Sequence, residues 1–387
     1  MSQTSVKKVI LVLVFALTMA VGGTQLYRHR HYQVPIVAGP GVTRVAMLSD
    51  YLPSLKDTFF DTNVYFLEGS ADGSTVLLMG GTHSNEIAGV LAASIFVETA
   101  EVDAGTLIVI PNFNNSGGRN TRSGDGYPLY YQIETPWGEK VMRVGNRDAS
   151  PLDQWPDPDV YIHYPTKQTL SYADIRNTNR TWPGRPNGVG TEQITFAAME
   201  LMRTEGVDIA FDLHGAETMY PVTNCIVTPS SGTRIATMTA LTIGVMEGFD
   251  IHVEPSPEGF RGLSHREIGD HSDVVPFLLE APIPFLDQPT GPKTVDLLLS
   301  GRDPFLLSLS KKQLLFVHYD ETGWPIENRV GQHTSTVLEV INQFGTANTE
   351  RSMIIRGVPQ YADILENGVG YYFADPDSVP ANRVYYQ

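Results

Sequence analysis

Short apolar runs alternate with longer segments of helical periodicity along most of the chain. Four runs have the length of buried strands, at residues 75–79, 106–110, 209–212 and 275–280. Four segments have helical patterns, at residues 86–100, 193–203, 235–247 and 327–343. This alternation predicts an α/β domain with helices on both faces of a sheet. Ligands in such folds bind beyond the carboxyl ends of the strands.

The N-terminus carries an uncharged, mostly apolar run at residues 9–23, preceded by Lys7 and Lys8. A run of this length fits the apolar region of a signal peptide, whereas a membrane-spanning helix needs about 20 residues. Extending the run to Tyr27 brings it close to that length, so an uncleaved anchor stays open. We therefore predict that residues 1–32 are a signal peptide or a membrane anchor. The protein is then exported, to the periplasm or the cell envelope.

Composition narrows the possible partners. The chain has 387 residues, 42% of them apolar, which is enough for one large core. Its formal charge of −16 argues against nucleic acid or an anionic surface as a partner. The one cysteine, Cys225, excludes an intramolecular disulfide, and its neighbours predict a strand with a buried thiol.

Two segments place metal-ligand side chains just beyond predicted strands. His83 and Glu86 follow the run at 75–79 at a loop-to-helix boundary, and Asp212-Leu-His214 ends the run at 209–212. Two histidines and a glutamate are a common zinc set that leaves a position for water. Taken alone, each segment has a structural alternative. Glu86 could cap the helix, and either histidine could be an ordinary loop or core residue.

The order of three motifs resembles a known family. Gly80-Gly-Thr-His83-Ser-Asn-Glu86, then Asn179-Arg180-Thr-Trp-Pro-Gly184, then Asp212-Leu-His214 are similar to the zinc carboxypeptidase superfamily, and in particular to its succinylglutamate desuccinylase/aspartoacylase group. The resemblance covers roughly residues 70–345. It implies a three-layer α/β/α sandwich with a central mixed, mostly parallel sheet. It also implies that His83, Glu86 and His214 bind one Zn²⁺ ion.

The resemblance assigns further roles. Asn179 and Arg180 match the pair that holds a substrate carboxylate, which suits the bidentate geometry of a guanidinium. Arg122 is the candidate for the arginine that polarises the scissile carbonyl, although Arg119 competes with it. In close relatives this arginine lies nearer the Asn-Arg pair, so the aromatic-rich segment 123–175 is expected to be an insertion that forms a lid or wall of the pocket.

Glu280 ends the apolar run at 275–280. A carboxylate in that position is costly unless it has a partner or a function. The family's general base ends such a strand, so the resemblance makes Glu280 the base that activates water and protonates the leaving amine. Pairing with a structural arginine is the alternative. His265 and His271 are on a polar loop that could face the pocket, but solvated positions are favoured.

The sequence therefore predicts a zinc hydrolase that cleaves an amide bond in a small-molecule or peptide substrate with a free carboxylate. Export favours a peptide C-terminus or a cell-wall peptide over an N-acyl amino acid. Ester cleavage at the same metal stays open, and the alternative from another class is an exported, non-catalytic binding protein that captures carboxylated ligands. The predicted domains are the N-terminal segment 1–32, a catalytic domain 33–346 and a C-terminal extension 347–387.

Overall fold

The computed structural model describes residues 3–121 and 127–387. The strands are Pro35–Val37 (β1), Arg44–Met47 (β2), Asn63–Glu68 (β3), Ala71–Gly80 (β4), Glu101–Ile110 (β5), Tyr130–Thr135 (β6), Gly138–Arg143 (β7), Tyr161–Ile162 (β8), Thr169–Leu170 (β9), Ile209–Glu217 (β10), Cys225–Thr228 (β11), His252–Pro255 (β12), Val275–Ile283 (β13), Ile354–Arg356 (β14) and Val384–Tyr386 (β15). The α-helices are Gln3–His31 (α1), Ile87–Thr99 (α2), Asn115–Gly118 (α3), Gly190–Glu205 (α4), Thr233–Met246 (α5), Ser264–His271 (α6), Val295–Ser300 (α7), Pro304–Ser310 (α8), Ile326–Ala347 (α9) and Tyr361–Asn367 (α10).

A nine-stranded sheet forms the middle layer, in the order β12-β11-β13-β10-β4-β5-β3-β2, with β14 also paired to β5. Parallel pairs join β13, β10, β4 and β5, and also join β11 to β12. The other pairs are antiparallel. The sheet is therefore mixed, as predicted. However, parallel pairs make up half of the pairings within this sheet rather than most of them, because β11 pairs with β13, and β3 and β14 pair with β5, in the antiparallel direction.

Each face of the sheet packs on its own layer of helices. Val76 and Leu78 of β4 belong to one apolar cluster, which includes residues of α2, α5 and α9. Leu77 and Met79 face the other way and belong to a second cluster with α4. Since alternate residues of a strand point to opposite faces, a strand covered on both sides reads as a continuous apolar run. The predicted three-layer α/β/α sandwich is confirmed.

The carboxyl ends of β4, β5, β10 and β13 meet at one edge of the sheet because these strands are parallel. Strand β4 ends at Gly80, and Gly81 then turns the chain with a φ of +66°. A Cβ at Gly81 would lie 2.6 Å from Oδ1 of Asn112, so this turn has no room for a side chain. The turn places the following residues, Thr82 to Glu86, at the sheet edge before α2 begins.

The N-terminal and C-terminal segments both contact the α/β domain. Strand β15 pairs with β1, and β14 extends the sheet beside β5. The 29-residue helix α1 is longer than the predicted apolar run, and one window of it has mean hydropathy 2.2 with no residue buried. Its last turn, in contrast, contacts the folded domain: His29 is buried, and Arg30 forms an ion pair with Asp153.

Candidate active site and metal centre

The three predicted metal ligands lie together at the carboxyl edge of the sheet. His83 is on the turn after β4, Glu86 directly precedes α2, and His214 lies within β10. One ligand atom from each of the three lies within 4.8 Å of the other two. All three residues are buried, with exposed fractions of 6%, 2% and 1%. The separate segments seen in the sequence therefore form one site.

The donor atoms have the arrangement that a metal ion needs. Nδ1 of His83 lies 2.7 Å from Oε1 of Glu86, and Nδ1 of His214 lies 2.9 Å from its Oε2. The carboxylate thus contacts an imidazole nitrogen of each histidine with a different oxygen. Two nitrogens and a carboxylate oxygen with space for water are a donor set that suits catalytic zinc. These residues fit the ion that the resemblance implies.

The Nε2 atoms of both histidines contact other side chains. Nε2 of His83 lies 2.8 Å from Oδ1 of Asn177, and Nε2 of His214 lies 2.9 Å from Oδ2 of Asp212. Hydroxyls of Thr82 and Ser264 donate hydrogen bonds to the Asp212 carboxylate. Contacts of this kind fix the ring orientation and leave Nδ1 for the metal. Asp212 is thus placed to orient the ring of His214.

Electrostatics couples the three ligands. Burial alone would raise the pKa of Glu86, but the two neighbouring histidines together lower it below the usual range. Burial lowers the pKa of His83. For His214, burial also acts to lower the pKa, but the carboxylates of Asp212 and Glu86 outweigh it and raise the pKa above its usual range. The glutamate is therefore ionised and ready to bind a cation.

Glu280 lies beside His214, because β13 pairs with β10 in parallel and aligns these two residues. Its Oε2 is shielded from solvent and has no hydrogen-bond partner within the described part of the chain. Burial, with the negative charges of Glu86 and Glu217, raises the pKa of Glu280 to about 8. No arginine forms an ion pair with it among residues 3–121 and 127–387, so the alternative of a structural pair has no support there.

Arg147 is a site residue that the sequence analysis missed. Its Nη2 lies 3.9 Å from Oε1 of Glu86 and 3.7 Å from Oε1 of Glu217, and Nη1 lies 3.7 Å from Asp287. Burial acts to lower the pKa of Arg147, but these carboxylates outweigh it and raise the pKa above its usual range. The residue lies on a loop between β7 and β8 with no periodic pattern, and only a sequence motif for the loop could have identified it.

Asn179 and Arg180 line the same cavity as the proposed ligands. The carboxamide oxygen of Asn179 accepts a hydrogen bond from the Ser264 amide at 2.8 Å, which leaves its NH₂ group as the donor. Arg180 donates to the main-chain oxygen of Asn179 at 2.8 Å and stacks on the ring of Phe260. Burial is the main influence that lowers the pKa of Arg180. The pair therefore presents donors of both kinds to a bound anion.

The cavity has a volume of about 540 Å³ and also includes His265, Tyr220 and Glu254. His265 is buried, not solvated as favoured from the sequence, and its Nδ1 lies 2.8 Å from the Ser256 hydroxyl. His271 does not line this cavity, and its Nε2 lies 3.2 Å from Oε2 of Glu267. Cys225 is buried in β11, as predicted.

Two predictions for residues 119–175 have different outcomes. Arg122 lies outside the described residues, so its role stays a prediction, while Arg119 faces the end of α1 and donates to the main-chain oxygen of Arg30. Within 127–175, the residue that lines the cavity is Arg147 rather than an aromatic residue. Trp137 instead donates to Phe373 in the C-terminal segment. The described part of this segment therefore does not form the expected aromatic wall: Tyr130 packs on His29 and Tyr32, and Tyr127 packs on Phe285.

Comparison with known proteins gives matches at the level of structure. No family model matches the chain, and no curated protein matches it at a significant level. A succinylglutamate desuccinylase/aspartoacylase from Rhodobacter sphaeroides has 18% identity and a TM-score of 0.35, over 57% of this chain and 51% of that chain. A metallo-carboxypeptidase from Burkholderia cenocepacia has 14% identity and a TM-score of 0.47, over 80% and 66%. Cell shape determinant protein Csd4 from Helicobacter pylori, in a product-bound structure, has 12% identity and a TM-score of 0.44, over 78% and 57%.

The first two of these structures carry the names of the two groups that the sequence motifs resemble. The match spans about half the length of the desuccinylase/aspartoacylase proteins.

Proposed function

We propose that the protein is a zinc-dependent hydrolase that cleaves an amide bond in a substrate with a free carboxylate. The observation that supports this most is the convergence of His83, Glu86 and His214, with Glu280 aligned beside His214 on the next strand. A binding protein has no need for a shielded carboxylate with a raised pKa next to a metal site. Such perturbed groups cluster in catalytic sites.

Each side chain has a separate task in the proposed reaction. Zinc, when bound, supplies Lewis-acid activation of water and of the substrate carbonyl. Glu280 takes a proton from the attacking water and later delivers it to the departing amine. Arg147 donates hydrogen bonds to the carbonyl oxygen as negative charge develops there. Arg122, the sequence candidate for that last role, remains an alternative to Arg147.

Asn179 and Arg180 bind the substrate carboxylate in this proposal. The guanidinium gives a charge-assisted contact, and the carboxamide adds a neutral donor next to it. Both residues line the cavity that contains Glu280 and the metal ligands. A substrate fixed at its carboxylate presents its amide bond to the base at a set distance, which removes much of the entropic cost of the reaction.

The test is hydrolysis by the zinc-loaded protein of three substrate groups: peptides with a free C-terminus, cell-wall peptides and N-acyl amino acids. Matched peptides whose C-terminus is amidated test the need for a carboxylate, and the corresponding esters test the choice of bond. We expect cleavage only of substrates with the carboxylate. In Glu280→Gln, kcat should fall about 10²- to 10⁴-fold with zinc retained. A zinc-loaded protein that cleaves none of these substrates but binds them would instead be the non-catalytic alternative.

We further propose that the protein is exported and that α1 holds it at a membrane. The helix has the length and hydropathy of a membrane span, and its apolar part is exposed. Lys7 and Lys8 precede the apolar part, as in a segment whose N-terminus stays in the cytoplasm. The mass of the mature chain tests this, because removal of the apolar part would identify a cleaved signal peptide.

A further inference from the structure

A short loop beside the end of α1 has the reverse of the usual burial pattern. The side chain of Asp153 is 6% exposed and Gln154 is 5% exposed, so both polar residues are buried. Leu152 and Trp155, which flank them, are 79% and 75% exposed. Folding in water normally buries large apolar side chains and leaves charged ones outside. This loop instead presents a leucine and a tryptophan outward.

Hydrogen bonds fix the loop in this orientation. The carboxamide of Gln154 donates to the main-chain oxygen of Ile175 at 2.8 Å and accepts from the amide of Thr191 at 2.9 Å. Both contacts are buried, and buried hydrogen bonds are costly to break. The outward positions of Leu152 and Trp155 are therefore set by the fold of the domain.

The ion pair between Arg30 and Asp153 sets the height of this loop relative to the apolar part of α1. Residues 9–27 of the helix extend over roughly 28 Å, close to the thickness of the hydrocarbon core of a bilayer. Arg30 lies about 4.5 Å further along the helix axis, which is within the headgroup layer. Leu152 directly precedes Asp153, and Trp155 follows it by two positions. Both side chains are therefore close to the boundary between headgroups and acyl chains.

Other aromatic rings surround the last turn of α1. The guanidinium of Arg30 lies 4.4 Å from the ring centre of Phe59, and the ring of His31 lies 5.9 Å from the same ring. The ring of Tyr130 lies 5.5 Å from that of His29. Tryptophan and tyrosine are enriched where proteins cross the boundary between membrane and water. The end of α1 thus has the residue types of a membrane interface.

We propose that Leu152 and Trp155 insert into the membrane interface beside α1 and hold the catalytic domain against the membrane surface. This inference rests on the proposal that α1 is a membrane anchor. Its partner is a neutral lipid surface, because the contact is apolar and aromatic while the formal charge of −16 opposes binding to anionic lipids. Insertion removes the two exposed apolar side chains from water.

The same loop connects the membrane contact to the active site. Arg147 lines the cavity of the metal ligands and lies five residues before Leu152. Five residues extend over at most about 18 Å. The wall of the cavity therefore lies close to the membrane surface. An enzyme held in this way acts on carboxylated substrates that are themselves close to the membrane.

The test places an environment-sensitive dye at position 152. Full-length Leu152→Cys is labelled and reconstituted in phosphatidylcholine vesicles, and the native Cys225 is buried. Val245→Cys is the matched control, because Val245 is an apolar residue of α5 that is 84% exposed. Lipids with a quencher just below the headgroup should reduce the emission at position 152 about twofold or more and leave position 245 unchanged.

Trp155 is tested without a label. Brominated phosphatidylcholine should quench part of the tryptophan emission of the wild type, and Trp155→Phe should remove the quenched part. Phenylalanine keeps an apolar ring at this position, so the loop should stay folded. The other tryptophans, Trp137, Trp182 and Trp324, are present in both proteins and serve as the internal reference.

Flotation with vesicles distinguishes this inference from the proposals on which it rests. A full chain that does not float contradicts both the anchor and the loop contact. If the chain floats but neither position 152 nor Trp155 is quenched, the anchor stands and the loop contact is wrong. Equal quenching at positions 152 and 245 would also overturn the inference. So would an emission at position 152 that changes with protein concentration and not with lipid quencher, since a second copy then covers the loop. Hydrolysis is not measured, so failure of the proposed reaction leaves this test intact.

Discussion

The proposed ligands are oriented by contacts from other segments of the chain. The Nε2 atoms of His83 and His214 are occupied by Asn177 and Asp212, and the Glu86 carboxylate accepts a hydrogen bond from the amide of Gly215 at 3.0 Å. Because these contacts hold each ligand in place, the two Nδ1 atoms and the carboxylate are preorganised for a cation. A preorganised site loses less entropy when the metal binds.

Arg147 is predicted to stabilise the negative charge that develops on the carbonyl oxygen. Arg147→Ala should reduce kcat about 10²- to 10³-fold, because one donor to a developing oxyanion is removed. Arg122→Ala should reduce kcat less than about tenfold. Steady-state kinetics on both variants, with zinc content measured in each, checks this. The reverse order of the two effects would assign the role to Arg122.

Glu280 is predicted to make stability depend on pH in the metal-free protein. Burial raises its pKa to about 8 in the folded state, whereas in the unfolded chain it ionises near its ordinary value. Folded protein therefore binds more protons between these values, and the free energy of unfolding falls as pH rises from about 4.5 to 8. Chemical denaturation of metal-free wild type and Glu280→Gln measures this. The wild type should lose up to about 4 kcal/mol relative to the variant over that range. If the free energies of unfolding of the two proteins change with pH by the same amount, the prediction for Glu280 is wrong.

At the scale of elements, the site depends on close packing of α2 against β10. A Cβ at Gly89 of α2 would lie 2.5 Å from the main-chain oxygen of Leu213 and 3.0 Å from its Cβ. Leu213 directly precedes His214, and Glu86 directly precedes α2. The glycine thus sets the distance between the helix that follows one ligand and the strand that carries another.

Gly89→Ala is predicted to push α2 away from β10. It should lower the free energy of unfolding by about 1–3 kcal/mol, as overpacking does, and it should also weaken zinc binding. Gly244→Ala is the control, since Gly244 is also helical but its nearest contact for a Cβ is 3.7 Å away. The free energy of unfolding of Gly244→Ala should equal that of the wild type or exceed it by up to about 1 kcal/mol. Denaturation and zinc titration compare the two, and equal behaviour would be evidence against tight packing at Gly89.

Sequence patterns could predict the buried elements but not the loops. The runs at 75–79 and 275–280 became parts of β4 and β13, since strands buried on both faces have a continuous apolar pattern. His83, Glu86 and His214 were found because motifs mark them. Arg147 and Asn177 lie on segments without periodicity, and their positions depend on tertiary contacts. The edge strand β2 was missed because it has only four residues, none of them buried. Its neighbour β3 was also missed, although residues 64–67 of that strand are apolar and buried.

At the scale of the whole molecule, the end of α1 forms part of the folded body. Arg30 donates to Ser150 at 3.2 Å and forms an ion pair with Asp153, and its main-chain oxygen accepts from Arg119 at 3.1 Å. Asp153 and Arg119 belong to segments near the carboxyl edge of the sheet. The exposed apolar helix is thus attached to the folded domain at this edge rather than through a free linker.

Two N-terminal deletions should separate anchoring from stability. Removal of residues 1–26 takes away the apolar helix but keeps the Arg30 contacts, whereas removal of residues 1–32 takes away both. We expect the full chain in the membrane fraction and both shortened chains in the soluble fraction. The longer deletion should lower the free energy of unfolding by about 1–3 kcal/mol, because it removes the ion pair of Arg30 with Asp153 and the hydrogen bond from Arg119 to the main-chain oxygen of Arg30. Equal stability would show that the contacts of α1 contribute little.

The proposed catalysis depends on the metal centre. Its most direct test is zinc content together with X-ray absorption at the zinc edge on the purified chain and on His214→Ala. We predict one zinc ion per chain, bound by two imidazole nitrogens and carboxylate oxygen, and we predict that His214→Ala loses this ion. A chain that binds no zinc, or that keeps the same zinc spectrum in His214→Ala, would contradict it.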